Sequence, residues 1–226
     1  MKVLCLIIDG VPRRAWRETY AVHRRIWNQC LDHFDVEGYF IHADPNLTSD
    51  HVVEARRFTV RGDERYDMIL HKTLKAIEVL LGDHDYVIRT NISSLYDFAL
   101  LRRKNLPKKG LYAGHVWHTS GSFVSGSGMI LSRDVAKKLL SAPAPADLIL
   151  SRKDDVAIGQ ILSAQGVVAR EEPWFCYDYS KGPEQLTIGQ HVHYRLRDEE
   201  DPSRVRERAV TEHVFAALCK IRKRIG

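Results

Sequence analysis

The stretch Tyr86-Val87-Ile88-Arg89-Thr90-Asn91-Ile92-Ser93-Ser94 decides how this chain reads. Its first three residues are continuously apolar, the pattern of a parallel strand covered on both faces. The next residue is a guanidinium. A cation directly after a buried strand needs an anionic partner, because an uncompensated buried charge is strongly unfavourable. In open α/β sheets ligands gather beyond the carboxyl ends of the strands. The apolar half therefore predicts a sheet, and the polar half predicts a site at its edge.

Reading outward, the same strand pattern recurs. Residues 3–8 form a second continuous apolar run, closed by Asp9-Gly10, and residues 36–42 read as a further strand, closed by Ala43-Asp44-Pro45. Between them Trp16, Tyr20, Trp27, Cys30 and Leu31 recur at helical spacing, which predicts an amphipathic helix over 13–31. Residues 53–60 read as a short strand. Met68, Leu70, Leu74, Ile77 and Leu81 share one face of a helix over 67–81. Downstream the pattern predicts a helix over 95–103, strands over 111–117 and 122–131, and a helix from Ser132 with Asp134 in its first turn. A helix over 154–165, strands over 167–170 and 191–195, and a C-terminal helix over 205–225 complete it. Strands alternating with helices predict an α/β fold with a mixed, mostly parallel central sheet flanked by helices. No linker divides the chain, so residues 1–226 read as a single domain, with 190–226 supplying a last strand and helix that pack on it.

Composition narrows the partners. With 226 residues and 44% hydrophobic content, the chain can bury a sizeable core. Thirty-four Lys and Arg against 29 Asp and Glu leave +5, a mild basicity that admits a nucleic acid, a membrane surface or a phosphorylated ligand. No apolar run approaches the roughly 18 residues a membrane helix needs. The apolar run at 3–8 is too short for a secretory signal. Cys5, Cys30, Cys176 and Cys219 lie far apart, which fits neither a disulfide framework nor a zinc motif. A cytoplasmic location with reduced thiols is the expectation.

Four places hold side chains with chemical potential. Residues 89–94 either face a ligand or cap a helix through Ser93 or Ser94. Ser125-Gly126-Ser127-Gly128 marks a bulge or a close backbone approach, or simply a kinked strand. Asp154-Asp155 opens a helix, where acids complement the dipole or serve as a carboxylate base. His191, His193 and Arg195 alternate onto one face of a strand, as metal ligands or as polar surface. The aromatic run from Trp174 to Tyr179 suits stacking on a sugar, or a core.

The order of these motifs resembles the nucleotide-sugar glycosyltransferases of the GT-A fold, in particular the β-1,3-galactosyltransferase and Fringe superfamily. Lys72-Thr73 stands where that family has a Lys-Thr helix before a strand ending in an acidic D-x-D triplet. The small-residue strand followed by Leu131-Ser132-Arg133-Asp134 is similar to the family's Leu-Ser-x-Asp. Asp154-Asp155-Val156-Ala157-Ile158-Gly159 looks like its acidic pair before a Val and a Gly, and residues 62–66 occupy its acidic-aromatic stretch. The likeness spans most of residues 1–195.

The resemblance implies a GT-A-like (Rossmann-related) sheet and transfer of a hexose from a nucleoside diphosphate sugar, a UDP-sugar in the first instance, to a glycan hydroxyl with inversion. Asp155 matches the catalytic base, with Asp154 in reserve. Asp9, Gly10, Asp44, Lys72, Arg89, Asn91, Ser93, Ser125, Gly126, Lys181 and Arg195 fall at donor-binding positions. One departure stands out: Asn91-Ile92-Ser93 replaces the D-x-D triplet. Either Asn91 and Ser93, helped by His191 or His193, retain Mn2+ or Mg2+ beside the diphosphate, or Arg89, Lys181 and Arg195 replace the metal. Rival readings are a carbohydrate-binding protein without catalysis and a nucleic-acid-binding module. The second is weakened by acids interleaved with the basic clusters and by the lack of a known motif. A hydrolase using Asp154 and Asp155 is disfavoured, because adjacent acids do not flank a bond. The basic tail at 220–224 suits an anionic acceptor or peripheral membrane contact.

Overall fold

The computed structural model describes residues 1–10, 12–118, 121–142, 153–178, 186–198 and 200–223. They gather into two compact units. One comprises Met1–Val11, Glu37–Asn91 and Leu106–Glu171, and the other Pro12–Val36, Ile92–Asn105 and Glu172–Gly226.

The first unit is built on a seven-stranded sheet. Its strands are β1 (Val3–Ile8), β2 (Glu37–Asp44), β3 (His51–Glu54), β4 (Arg57–Arg61), β5 (Tyr86–Asn91), β7 (Tyr112–Trp117) and β8 (Phe123–Ser132), in the order β3-β4-β2-β1-β5-β8-β7. β4, β2, β1 and β5 run parallel, β3 and β8 run against them, and β7 returns to the common direction. The sheet is thus mixed and mostly parallel, as the apolar runs predict. Every residue of β1 is buried, which is why its sequence lacks the alternation of a half-exposed strand.

Helices α2 (Ile69–Leu80), α4 (Arg133–Ser141) and α5 (Asp154–Ser163) cover this sheet. Their Ala76, Ile77, Val135, Leu139, Ala157, Ile158 and Leu162 meet Leu4, Leu6, Val87, Met129 and Leu131 in one core. Each large aliphatic side chain buried there contributes about 1.5–3 kcal/mol. Two expectations change in this unit. Residues 53–60 make two strands, because Ala55 at φ +45° turns the chain between β3 and β4. Residues 167–170 add a single bridge, Arg170 to Ala113, rather than a strand.

The second unit holds α1 (Arg17–Phe34), α3 (Phe98–Arg103), α6 (Val205–Lys223) and a three-stranded sheet of β6 (Ser94–Tyr96), β10 (His193–Arg195) and β9 (Cys176–Asp178), in the order β6-β10-β9. α1 buries Thr19, His23, Ile26, Trp27, Cys30, Leu31 and Phe34, the 3–4 spacing of an amphipathic face. It ends where Asp35 adopts a left-handed φ of 50° and Val36 N–H donates to Leu31 O, 3.0 Å away. The helix expected over 95–103 begins only at Phe98, because Ser94–Tyr96 pairs antiparallel with β10.

Candidate active site

The site grows from Arg89. This residue lies within β5, with Leu6 of β1 and Met129 of β8 as its register neighbours, and it is 1% exposed. The anion it requires comes from the first turn of α5: Arg89 Nη2 donates to Asp154 Oδ2 at 2.6 Å. Nη1 donates to Asn91 Oδ1, two residues along the same strand, at 3.1 Å. Burial pushes the Asp154 carboxyl up from its ordinary range, while the Arg89 charge pulls it back.

Asp155, the next residue, behaves differently. It is half-buried, and its Oδ2 accepts the Gly126 N–H at 3.0 Å while Oδ1 accepts the Val156 N–H at 2.9 Å. These two contacts fix the carboxylate plane. Gly126 is glycine for a steric reason. A Cβ there would lie 2.7 Å from Arg89 Nη1 and 3.4 Å from Asp155 Cβ. The small residues do form a bulge. Gly114 faces Met129 and Val116 faces Val124, so β8 spends more residues than β7 between those pairs. Ser125 and Ser127 hydroxyls lie 3.1 Å apart inside it, and the Ser127 carbonyl accepts from Thr90 Oγ1 at 2.8 Å.

A second polar group sits past β1 and β2. Asp9 is fully buried, with His42 Nε2 3.4 Å from its Oδ2. Lys72 of α2, also fully buried, pairs with Glu64. Glu64 also accepts the Ala43 N–H at 2.6 Å, and a Cβ on Gly10 would lie 3.7 Å from it. Burial lowers the affinity of the Lys72 amine for its proton, Glu64 opposes this, and Arg89 adds to it. Glu64 was not singled out by sequence. Its signal was weak, one of two adjacent acids, Asp63 and Glu64, in the stretch matching the family's acidic-aromatic segment. Asp44, by contrast, closes its own turn, its Oδ1 accepting the Asn46 N–H at 2.9 Å.

The structure therefore brings Arg89, Asn91, Gly126, Asp154 and Asp155 together in the first unit, with Lys72 and Asp9 close enough to influence one another electrostatically. Ser93, His191, His193 and Arg195 belong to the second unit. There Arg195 Nη1 is held by Asp178 at 2.8 and 3.1 Å. His193 is fully buried, its Nδ1 3.1 Å from Cys176 Sγ and its ring 4.9 Å from that of Tyr96. His191 precedes β10 and packs near the Tyr177 and Tyr194 rings. Phe175 and Tyr177 are buried and Lys104 covers the half-buried Trp174 at 4.6 Å, so these aromatics are core rather than a sugar platform. Lys181, Tyr179 and Arg224 lie outside the described residues, as do the side chains of Arg222 and Lys223.

A divalent cation fits this donor set poorly. Asn91 Oδ1 is already an acceptor for Arg89, whose positive charge would oppose a metal ion there. Among the described residues no group of three or more His, Cys, Asp or Glu is arranged to hold one.

No family model matches the chain, and no curated protein matches it in sequence. Solved structures do. A glycosyltransferase involved in the glycosylation of the major capsid of PBCV-1 superposes with a TM-score of 0.58 at 10% identity, covering 95% of this chain and 100% of that one. The catalytic domain of Drosophila β1,4-galactosyltransferase 7, in complex with xylobiose, gives 0.45 at 11% identity over 94% and 80%. The chain has the mixed α/β, GT-A-like fold that the motif order predicts. Among the described residues no helix is long and apolar enough to cross a membrane.

Proposed function

We propose that the protein transfers a hexose from a nucleoside diphosphate sugar, a UDP-sugar in the first instance, to a glycan hydroxyl with inversion. The observation carrying this is the division of labour between adjacent acids: Asp154 pairs with Arg89, and Asp155 is held by backbone N–H groups. The glycosyltransferase identity of the PBCV-1 protein with the same fold supports it.

In one displacement the acceptor oxygen bonds to the anomeric carbon, the carbon–oxygen bond to the diphosphate breaks, and the acceptor proton passes to Asp155. The electron pair leaves on the diphosphate. Preorganised positive charge stabilises such a leaving group, and Arg89, buried and paired with Asp154, would contribute through its field rather than by contact. Because the donor set does not suit a metal, we assign that role to the protein rather than to Mn2+ or Mg2+.

The test is a thermal-shift panel of UDP-, GDP- and dTDP-sugars, with Mn2+, Mg2+ or EDTA, followed by transfer assays. A ligand that binds only the folded state raises Tm by mass action. Stabilisation by a nucleotide sugar in EDTA, with Asp155→Asn binding the donor but transferring nothing, is the expected result. Full transfer by that variant would remove the assignment.

The absence of acids from Asn91-Ile92-Ser93 favours one second reading, a carbohydrate-binding protein without catalysis. Wild-type protein that binds donor yet neither transfers nor hydrolyses it, with or without Mn2+, would establish that reading instead.

A further inference from the structure

Trp117 is 45% exposed, while the other three tryptophans are buried or half-buried. It is the last residue of β7, a strand running in the same direction as β5, so it sits at the carboxyl edge of the sheet. In the β7–β8 register it faces Phe123. Two short paths lead from that pair to Asp155. Along β8, Gly126 is three residues from Phe123, at most about 10 Å at the strand rise, and its N–H holds the carboxylate. Along α5, the same Phe123 packs against Gly159, where a Cβ would meet its Cβ at 2.4 Å. Gly159 is one helical turn beyond Asp155, about 6 Å.

One polar ring contacts the indole, and further polar groups lie on neighbouring residues. The His115 ring stands edge-on to it at 5.2 Å and 78°, and its Nδ1 is 2.7 Å from Glu171 Oε1. His118 Nδ1 is 3.0 Å from Ser122 Oγ. A large exposed aromatic face with hydrogen-bonding groups at its rim matches a pyranose, whose axial C–H face is apolar and whose equatorial hydroxyls are polar. From this juxtaposition we infer that Trp117 is the stacking platform for a sugar ring of the acceptor, on the same edge of the sheet as the Asp155 carboxylate. The inference rests on the glycosyl-transfer reading and replaces the aromatic segment at 174–177 as the acceptor surface.

Two measurements test it separately. The four tryptophans give four indole N–H resonances, and Trp117→Phe identifies the one belonging to Trp117. Titration with methyl β-galactopyranoside, methyl β-xylopyranoside and methyl α-mannopyranoside should shift that resonance and leave the Trp27 signal, whose N–H is bonded to Ile92 O, in place. In transfer assays Trp117→Ala should raise the acceptor KM about tenfold, the size of a lost ring-stacking contact. Donor KM and Tm should be unmoved, and Trp117→Phe should restore most of the loss. A Trp117 resonance insensitive to all three glycosides, or an unchanged acceptor KM in Trp117→Ala, overturns the inference. A shifting resonance in a protein that transfers no sugar leaves the platform standing and removes the transfer reading.

Discussion

Arg89 Nη2 lies 2.6 Å from Asp154 Oδ2, and both side chains are buried although 65 residues separate them. Removing one partner of such a pair leaves a buried charge without compensation, which costs about 3–5 kcal/mol. Asp154→Ala should lower the free energy of urea unfolding by that amount. Arg89→Met combined with Asp154→Leu should be the milder change, because an apolar pair of similar volume carries no desolvation penalty. Equal losses in the single and double variants would show that the pair is not the stabilising unit described.

Gly126 predicts a separation of stability from activity. Its missing Cβ is what lets the Arg89 guanidinium lie against β8, with 2.7 Å between that hypothetical Cβ and Nη1. Gly126→Ala must displace either the guanidinium or the bulge that presents the N–H to Asp155. Overpacking of this kind costs about 1–3 kcal/mol, so the variant should fold. Its kcat should nevertheless fall by about tenfold or more, because displacements on the scale of an ångström disturb reacting geometry. A kcat equal to wild type would mean that Asp155 does not depend on this contact.

Lys72 and Glu64 give an alkaline signature. Burial lowers the Lys72 amine below its ordinary value even with Glu64 beside it. A base lowered in the folded state gives stability that is present above its unfolded pKa and is lost as pH falls. Glu64→Gln removes the opposing charge and deepens this loss. The variant should therefore be clearly less stable than wild type at about pH 7, and the gap should narrow by about pH 9.5, because the folded wild-type amine, lowered below its ordinary value, gives up its proton and Glu64 then has no charge to oppose. Urea midpoints at the two pH values check this, and a gap that stays constant or widens would contradict it.

Much of this arrangement was legible in the sequence because it is local. The run at 3–8 reads as a buried strand since both of its faces are covered, and of the helical face read over 67–81, Leu70, Ile77 and Leu81 are buried while Met68 and Leu74 are half-buried. Arg89 announced a need for an anion from its position alone. What a local pattern cannot supply is which anion, since Asp154 is brought there by the packing of α5 on β8. The strand at Ser94–Tyr96 was hidden for the same reason. Leu95 and Tyr96 flow into the apolar Phe98 of α3, and only pairing of Leu95 with Tyr194, about a hundred residues on, makes them extended. At 167–170 the sequence reads as a strand, but Val168 is 71% exposed and only Arg170 finds a bridge.

The cluster between α1 and α6 predicts an unusual pH profile. His23 and Glu207 are both fully buried, with His23 Nε2 3.7 Å from Glu207 Oε1 and 3.3 Å from Thr211 Oγ1. Glu207 Oε2 accepts the Asp198 N–H at 3.1 Å and lies 3.6 Å from Arg204 Nη1. Burial pushes Glu207 up to about 7, against the pull of Arg204, and burial with Arg204 and Arg24 lowers His23 to about 4. Glu207, raised on folding, favours the folded state below its ordinary 4.5 and loses that contribution as pH rises to about 7. His23, lowered on folding, favours the folded state above 6.5 and loses that contribution as pH falls towards about 4. Between those limits folded and unfolded chains each hold one proton on the pair, on Glu207 when folded and on His23 when unfolded. The two slopes cancel, so the pair adds no pH dependence from about pH 4.5 to 6.5. Glu207→Gln keeps a neutral polar group in place and removes one of the opposing slopes. The stability of that variant relative to wild type should then climb by about 1.4 kcal/mol per pH unit across the same window. Parallel stability curves for the two proteins from pH 4.5 to 6.5 would mean that Glu207 is already ionised in the folded protein, and that Arg204 rather than a proton neutralises it.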